Sequence, residues 1–339
     1  MAALRPEIAA YVERNFPGAS VLELAGDAST RRFYRVAPPS GPSQVLMDYG
    51  RSFGEEGETD DIRLSRIFRA AGLPVAEILE IGPSEGCLLL EDLGDRTLER
   101  VLTSDIPGRG DETRDWIARA VDLAAEIAIR GTPALATSER AGGPRLDSER
   151  FRFEMEYFLE HFIGGYSGRG ELAARLRPAL LNLADLAAAC PRGVLCHRDF
   201  HSRNLMARAD GRLFMVDIQD ARWGPETYDL ASLLRDGYLE IDESWIEPML
   251  ERYRSALPDP PAAAELRRRF DIVSAQRVLK ALGTFGNQVA VRGRQRYRRA
   301  IPRNIRRLER LLPQLPETSE LSLLLREAGL THAAHEGSN

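Results

Sequence analysis

Two histidines, two arginines, an aspartate and an asparagine stand within ten residues of the sequence, the stretch CHRDFHSRNL at residues 196–205. Asp199, near the start of the predicted loop, can accept the proton of an attacking hydroxyl group. Asn204 follows five residues later and can offer a neutral oxygen to Mg²⁺, which prefers hard oxygen ligands. A carboxylate for the same ion follows on the next predicted strand as Asp217, at the end of RLFMVD. This spacing, H-R-D-x-x-x-x-N with a later aspartate, indicates phosphoryl transfer.

Two simpler interpretations of the same stretch remain open. His197 and His201 are four residues apart and could bind zinc if the segment were helical. However, the apolar residues 194–196 favour a strand entering a loop, and no third ligand stands nearby in the sequence. Asp199 and Asn204 could also only cap turns. Asp217 and the strands upstream favour the catalytic interpretation.

A second candidate region, GDASTRR at residues 26–32, lies between the first two predicted strands. Small residues there let backbone N–H groups approach phosphate oxygens. Gly-Asp between two strands is by itself typical of a simple turn, so this region gains its meaning from the motif at residues 197–217. The stretch LLLEDLG at residues 88–94 is predicted to be a hinge whose backbone meets adenine. The predicted nucleotide contacts are Gly26, Ser29, Thr30, Arg32, Glu91 and Leu93.

The first 93 residues have the pattern of a small sheet with one inserted helix. After a short amphipathic helix, apolar alternation and turn residues predict strand, turn and strand over residues 20–38. Further strands are predicted at 44–50, 76–81 and 86–90, and a helix at 59–74. The sequence therefore predicts a five-stranded antiparallel sheet that ends near residue 93.

The rest of the chain is rich in alanine, leucine, arginine and glutamate at helical spacing. Helices are predicted near residues 111–130, 147–163, 171–189, 244–256, 263–291 and 301–326, interrupted by a hairpin-like pair, GVLCHRDF and RLFMVDIQD. These elements predict an α+β fold with a small N-terminal sheet lobe and a larger, mainly helical C-terminal lobe. The predicted domains are residues 1–93 and 94–330, with a flexible tail at 331–339.

Composition excludes several classes of protein. The 339 residues carry a net charge of −5, which argues against a nucleic-acid partner held by bulk electrostatics. No apolar run approaches the roughly 20 residues that a membrane-spanning helix needs. The 3 cysteines form no C-x-x-C pair and fit a reducing compartment. We therefore expect a soluble cytoplasmic protein, a monomer, without membrane or nucleic-acid partners.

The basic residues are distributed unusually. Of the 46 lysine and arginine residues, only Lys280 is a lysine. Any mechanism that needs a lysine elsewhere in the chain is therefore excluded.

The order of elements and the motifs GDASTRRFYRV, LLLEDLG, CHRDFHSRNLM, VDIQDARWGPETYDLASLLRD and QRVLKALGTF resemble the aminoglycoside phosphotransferase and choline kinase superfamily. More narrowly, the sequence is similar to bacterial cell-wall-recycling kinases that phosphorylate N-acetylmuramate and N-acetylglucosamine at the anomeric hydroxyl. The resemblance implies the bilobal protein-kinase-like fold and the use of ATP and Mg²⁺. It also implies a small-molecule sugar as the substrate.

The same resemblance assigns roles by position. Asp199 resembles the catalytic base, and Asn204 and Asp217 resemble the Mg²⁺ ligands. His197, with its neighbour Arg198, braces the catalytic loop. Asp229, in GPETYDLA, resembles a buried aspartate that organises this loop, although a helix N-cap is an equally good interpretation from the sequence.

Two departures from the kinase pattern matter. The predicted metal-binding aspartate, Asp217, stands in DIQD and not in D-F-G, there is no A-P-E motif, and no lysine stands two residues after Asp199. These differences disfavour protein substrates. The third-strand lysine that usually holds the α- and β-phosphates is also missing, since Met47 or Asp48 stands there. Arg32 or Arg35 on the neighbouring strand could supply the charge, or Mg²⁺ and backbone N–H groups act alone.

A sugar substrate calls for several polar groups around the base. The predicted sugar contacts are His201, Arg203, Gln219, Asp220 and Glu154. Each of them could equally be an ordinary polar or charged residue at the surface or between helices. Two alternatives also stay open: another kinase of the same fold, acting on an aminoglycoside, choline or homoserine, and a nucleotide-binding pseudokinase-like module.

Overall fold

The computed structural model describes residues 4–24, 31–53, 58–104, 110–189 and 193–331. Backbone contacts divide the chain into two compact units. The first unit combines Met1–Thr97 with Leu205–Asp220, and the second combines Leu98–Asn204 with Ala221–Asn339. The division predicted after residue 93 differs from this one mainly in leaving residues 205–220 with the helical part. Apart from its first residue, the predicted tail lies outside the described residues.

The strands are β1 (Ser20–Leu24), β2 (Arg32–Ala37), β3 (Gln44–Asp48), β4 (Ile78–Gly82), β5 (Cys87–Glu91), β6 (Gly193–Cys196), β7 (Leu205–Ala207), β8 (Leu213–Met215) and β9 (Arg222–Pro225). The helices are α1 (Pro6–Asn15), α2 (Asp60–Ala70), α3 (Leu98–Thr103), α4 (Gly110–Glu126), α5 (Thr132–Ala136), α6 (Ser148–Phe158), α7 (Ala173–Ala188), α8 (Tyr228–Leu234), α9 (Ile246–Ala256), α10 (Ala263–Gly286), α11 (Ile301–Leu311) and α12 (Ser319–Glu327). Strands β1 to β5 belong to the first unit and helices α3 to α12 to the second. This distribution confirms the predicted α+β class.

The sheet of the first unit has the strand order β1-β2-β3-β5-β4, and each neighbouring pair is antiparallel. The prediction of five strands with one inserted helix is therefore confirmed. Alternate residues face opposite sides of the sheet. Tyr34 and Leu46 are opposite each other on β2 and β3 and pack with Ile8 of α1. Met47 faces the other way and packs with Ile62 of α2. Each face of the sheet is thus covered by one helix.

The predicted pairing of GVLCHRDF with RLFMVDIQD is wrong. Strand β6 pairs with β9, with Val194 opposite Gly224. Strand β8 pairs instead with β7, with Leu205 opposite Met215. The turn at residues 208–212 explains the difference, because Gly211 adopts a positive φ of 84° and returns the chain at once to the strand it has just left. Strand β6 pairs instead with residues 222–225, which follow Asp217 in the chain.

Helix α10 organises the second unit. It has 24 residues, and buried side chains occur all along it, including Phe270, Leu279 and Leu282. It crosses α6 closely, because a Cβ atom on Gly283 would lie 2.9 Å from the Cα of Phe158. The glycine thus permits the contact that brings polar residues of α6 and α10 together. In the described part of the chain, no helix is both long and apolar enough to cross a membrane.

Candidate active site

The loop after β6 is held in a strained conformation. Arg198 has a positive φ of 78°, which is costly for a residue with a side chain. The carboxylate of Asp229 accepts hydrogen bonds from the backbone N–H groups of His197 (2.7 Å) and Arg198 (3.0 Å). Burial raises the pKa of Asp229, and these two backbone hydrogen bonds oppose that rise. Thr227, not Asp229, is the N-cap residue of α8, so the contacts of Asp229 agree with the loop-organising interpretation and not with the capping one.

Two further donors hold the same peptide. The hydroxyl of Ser232 (3.3 Å) and the guanidinium of Arg277 (3.0 Å) donate to the carbonyl oxygen of Arg198. His197 is fully buried, and its ring lies edge-on to Phe200 with the centroids 5.8 Å apart. The loop after β6 is therefore fixed from α8 and α10, and the buried His197 packs within it.

Asp199 is the carboxylate that this loop presents. Its side chain keeps 30% of its exposure, and the Nζ atom of Lys280 lies 3.4 Å from its Oδ1 atom. Burial favours the neutral form of Asp199, but the charges of Lys280, Arg198 and Arg277 outweigh it. They hold the pKa of Asp199 well below its usual range. Asp199 is therefore ionised at neutral pH and can orient a hydroxyl group.

Asn204 is tied to the same loop. The turn Ser202–Asn204 is held by Asp236, whose carboxylate accepts from the backbone N–H of Ser202 at 2.8 Å. The side-chain Nδ2 of Asn204 donates to the carbonyl oxygen of Asp199 at 2.9 Å. Because this bond uses the amide NH₂ group, the amide oxygen is the end that can meet a cation. A hard-oxygen donor of this kind suits Mg²⁺.

Asp217 lies in the first unit and also has strained backbone geometry, with a φ of 63°. Its side chain is 42% exposed, and its Oδ1 accepts from Arg31 (3.1 Å) and Gln219 (3.0 Å). Arg31 also donates to Asp61 of α2 at 2.6 Å, and Asp61 accepts a second hydrogen bond from the Tyr49 hydroxyl. An exposed carboxylate on a strained turn fits the metal-ligand role.

The zinc interpretation gains no support. Within the described residues, no group of three or more histidine, cysteine, aspartate or glutamate side chains could hold a metal ion. His197 directly follows strand β6 and is buried, and His201 lies in the turn beyond it. A Mg²⁺ site needs fewer protein ligands, because water and phosphate oxygens complete its coordination.

The position of the missing third-strand lysine is occupied by an internal ion pair. Asp48 is 1% exposed, and its Oδ1 accepts from the guanidinium of Arg5 at 2.6 Å. Arg32 pairs with Glu23 near the surface, and Arg35 pairs with Asp92. Neither of the two arginines predicted from the sequence therefore contacts Asp217. Arg31, which the sequence reasoning missed, does.

The predicted nucleotide contacts are only partly visible. Gly26, Ser29 and Thr30 lie outside the described residues. Glu91 ends β5, and its backbone N–H donates to the carbonyl oxygen of Glu77. Leu93 is 9% exposed and lies in the extended segment that follows. The predicted hinge is thus a strand end that runs into a short linker.

The predicted sugar contacts fall into two groups. His201 and Arg203 lie in the second unit and both contact the ring of Tyr238, whose centroid is 3.7 Å from the guanidinium carbon of Arg203. Arg203 also forms two hydrogen bonds to Glu99, at 2.8 and 3.0 Å. Gln219 and Asp220 lie in the first unit, in the turn Ile218–Asp220 that follows Asp217.

Glu154 lies deeper than a sugar contact should. It is 3% exposed, and its carboxylate accepts from Gln276 (2.8 Å) and Arg150 (3.3 Å). Burial opposes its charge, but Lys280 and Arg198 nearby lower its pKa. Glu154 therefore stays ionised as an internal anchor for the cations around Asp199. Its burial is unfavourable for the direct sugar contact predicted from the sequence.

Known proteins resemble this chain over most of its length. A family model described as "Phosphotransferase enzyme family" matches residues 20–266. An N-acetylmuramate/N-acetylglucosamine kinase of Pseudomonas aeruginosa is 30% identical over 317 residues, covering 91% of this chain and 88% of the relative. A protein of the same name from Neisseria meningitidis is 31% identical over 327 residues, covering 94% and 92%.

Solved structures show the same fold at low identity. A choline kinase from Streptococcus pneumoniae superimposes with a TM-score of 0.58 at 15% identity, covering 86% of this chain and 96% of that one. The aminoglycoside phosphotransferase APH(2'')-Ib with bound ADP gives 0.57 at 14% identity, covering 94% and 99%. These likenesses confirm the predicted protein-kinase-like fold. The sequence match at residues 20–266 spans Asp199, Asn204, Asp217 and Asp229.

Proposed function

The chain belongs to the phosphotransferase enzyme family, and from that premise we propose that it is an ATP-dependent sugar kinase. Its proposed substrate is an N-acetylated amino sugar, N-acetylmuramate, N-acetylglucosamine or both, phosphorylated at the anomeric C1 hydroxyl. The observation that carries this proposal is the ionised Asp199 on a loop braced by Asp229, with Asn204 bonded to the same loop. The names of the two curated relatives support the choice of sugar.

The proposed reaction is an in-line phosphoryl transfer. The C1 hydroxyl gives its proton to Asp199, its oxygen forms a bond to the γ-phosphorus, and the bond from that phosphorus to the bridging oxygen breaks. ADP leaves with the electron pair of the broken bond. Because the bond to the attacking oxygen is little formed in such a loose transition state, a weak base suffices, and Asp199 acts mainly by orienting the hydroxyl.

The proposed metal ligands are Asn204 and Asp217. The amide oxygen of Asn204 and the exposed carboxylate of Asp217 are hard donors of the kind that Mg²⁺ prefers. When bound, Mg²⁺ neutralises negative charge on the phosphates. Asn204 keeps its place through the carbonyl oxygen of Asp199, and Asp217 keeps its place through Arg31 and Gln219.

Arg31 is our candidate for the charge that the third strand does not supply. It is 13% exposed and bridges Asp61 of α2 and Asp217. Guanidinium groups bind phosphate oxygens through paired N–H donors, and Arg31 lies beside the proposed metal ligand Asp217. Asp61 would then anchor Arg31 as the glutamate of the equivalent helix anchors the lysine in protein kinases.

The proposed sugar contacts are still His201, Gln219 and Asp220. Each of them is close in sequence to Asp199 or Asp217. The charge of Arg203 is neutralised by Glu99. Arg203 would therefore contact the sugar together with the Tyr238 ring on which it stacks. A monomeric state and a cytoplasmic location, where ATP is abundant, are also part of this proposal.

A coupled ADP-release screen tests the function. The acceptors are N-acetylmuramate, N-acetylglucosamine, glucosamine, choline and kanamycin, and phosphorus NMR locates the transferred phosphate. We expect turnover with the N-acetylated sugars and a phosphate on C1. Turnover only with choline or kanamycin would overturn the sugar assignment, and nucleotide binding without ADP release for any acceptor would support a non-catalytic module.

Two variants test the base. Asp199→Ala should fold normally but lose about 10²- to 10⁴-fold in kcat, the usual contribution of a positioned proton acceptor. Asp185→Ala removes an exposed aspartate of the same unit, paired with Arg152, and should keep wild-type turnover. Retained turnover in Asp199→Ala would contradict its role as the base.

A further inference from the structure

The single lysine of the chain lies beside the proposed base. Lys280 stands on α10, 81 residues from Asp199 in sequence, and its Nζ atom is 3.4 Å from Asp199 Oδ1. It is also 3.4 Å from the Tyr228 hydroxyl and 3.9 Å from Glu154 Oε1. The side chain keeps 16% of its exposure. Residue 280 lies beyond the part of the chain that matches the family model, residues 20–266.

We propose that Lys280 is a further catalytic residue, whose ammonium group donates a hydrogen bond to the phosphoryl group during transfer. This role rests on the proposed function, because it needs Asp199 to receive the substrate hydroxyl. Lys280 stays protonated throughout: the proton moves from the sugar hydroxyl to Asp199, and the electron pair of the broken bond leaves on ADP. The ammonium group offsets the negative charge of the transferring group.

The distances bring the phosphoryl group within reach. A hydroxyl hydrogen-bonded to Asp199 lies about 2.7 Å from its carboxylate, and the phosphorus under attack lies about 3–3.5 Å from that hydroxyl oxygen. Lys280 Nζ is 3.4 Å from the same carboxylate. A small rotation of the lysine stem therefore places the ammonium group against a phosphoryl oxygen.

The contacts of Lys280 favour such a movement. Its contacts to Asp199, Tyr228 and Glu154 measure 3.4–3.9 Å, at or beyond the outer limit of hydrogen bonding. An ammonium group has three donors, and none of them is used in a short bond to these oxygens. Glu154, which accepts a hydrogen bond from Gln276 at 2.8 Å, stabilises the positive charge of Lys280. The lysine is thus charged and held in place, yet it can move toward an arriving anion.

A lysine suits this position better than the arginine used at every other basic position. Arginines of this chain commonly cover both oxygens of a carboxylate, as Arg252 does with Asp122 at 2.6 and 2.7 Å. A guanidinium at position 280 would cover Asp199 in the same way and block the substrate hydroxyl. Lys280 contacts Oδ1 alone and leaves Oδ2 for the proton.

Three variants test the role in turnover. Lys280→Met keeps the apolar stem and should lower kcat about 10²- to 10³-fold, as loss of one transition-state donor does, with the sugar KM within about threefold. Lys280→Arg keeps the charge but covers both oxygens of Asp199, so we expect a loss of at least about tenfold in kcat. Arg252→Met, which breaks a surface ion pair of the same unit, is the matched control and should be unchanged.

The single lysine also gives a measurement that does not depend on turnover. In protein labelled with ¹⁵N-lysine, the side-chain Nζ spectrum contains one signal, from Lys280. With Mg²⁺ and the sugar present, adding ADP with aluminium fluoride, a mimic of the transferring phosphoryl group, should shift this signal. ADP alone should shift it much less. This readout uses the wild-type chain and stays decisive even if Lys280→Met fails to fold.

The outcomes separate this inference from the proposed function. If wild type and Arg252→Met phosphorylate the sugar while Lys280→Met keeps kcat within threefold, the role of Lys280 is wrong and the kinase assignment stands. An Nζ signal that responds equally to ADP and to the fluoride complex would also overturn it. If wild type phosphorylates no sugar, the proposed function itself fails.

Discussion

Replacing Arg31 by methionine is the sharpest test of how the chain manages without a third-strand lysine. Arg31 donates to Asp61 at 2.6 Å and to Asp217 at 3.1 Å, and it is 13% exposed. The substitution keeps an apolar stem but removes the guanidinium. We expect nucleotide affinity to fall, because the phosphates lose a charged donor, while the sugar KM stays unchanged.

The size of the effect follows from the strength of one charge-assisted contact. Hydrogen bonds to charged groups contribute about 1.5–3 kcal/mol, which corresponds to a loss of about 10- to 150-fold in affinity. Asp217 is 42% exposed, so solvent screening places the loss in the lower half of this range. Isothermal titration with ADP and Mg²⁺ measures the affinity directly, without turnover.

The adjacent arginine provides the matched control. Arg32 is 40% exposed and pairs with Glu23 on the surface, so Arg32→Met should weaken ADP binding by less than about threefold. If Arg31→Met binds ADP within threefold of wild type, Arg31 does not supply the missing charge. If Arg32→Met loses more ADP affinity than Arg31→Met, then Arg32, one of the two arginines predicted from the sequence, supplies the missing charge.

Two further substitutions test the supports of the fold and the loop. Asp229→Asn offers one acceptor where the N–H groups of His197 and Arg198 need two, so kcat should fall at least about tenfold and hydrogen exchange in residues 193–201 should accelerate; unchanged exchange would contradict the bracing role. Glu243→Gln should cost about 0.5–1 kcal/mol at pH 7, because its half-exposed carboxylate pairs with buried Arg235. The hydrogen bond from Arg235 lowers the pKa of Glu243 in the folded protein. The pair therefore stabilises the fold at pH values above the ordinary glutamate pKa of about 4.3. This stabilisation is lost as the pH falls below that value. Urea unfolding should show the difference from wild type at pH 7 and a smaller one below pH 4, whereas a difference independent of pH would refute the assignment.

The sequence predicted those parts of the molecule that depend on the pattern of a few neighbouring residues. The sheet follows from apolar alternation and turn residues, and both are properties of a few neighbouring residues. The positions of Asp199 and Asn204 follow from a five-residue spacing in one loop. The bracing role of Asp229 was one of two interpretations, and the cap residue Thr227 decided between them.

Contacts between distant segments were not predictable in the same way. Lys280 reaches Asp199 across 81 residues, and only the packing of α10 against the loop and α6 brings them together. The four-residue strand β6 had two possible partners of similar length, and turn geometry chose between them. One signal was present but unused: the scarcity of lysine marked position 280 as special.

Strand alternation could have narrowed the choice of the arginine that replaces the third-strand lysine. Residues 32, 34 and 36 of β2 share one face, and Tyr34 and Val36 on that face pack with α1. Phe33 faces the α2 side, and the guanidinium of Arg31 lies 5.9 Å from the centre of its ring. Side-chain parity thus separates Arg32 from the α2 face. The choice between Arg31 and Arg35 needed the structure, which pairs Arg35 with Asp92.

The hairpin of β7 and β8 has a consequence for how the protein is made. The hairpin belongs to the first unit, although it follows the loop of Asp199 in the chain. Two backbone hydrogen bonds join it to that unit, from Met215 N to Pro74 O (2.8 Å) and from Ala207 N to Arg96 O (2.7 Å). During synthesis the ribosome must therefore release residue 220 before the first unit can be complete. The N-terminal 97 residues contain all five strands of the larger sheet but lack this hairpin while more than a hundred later residues emerge. A fragment ending at Thr97 lacks both of these partners.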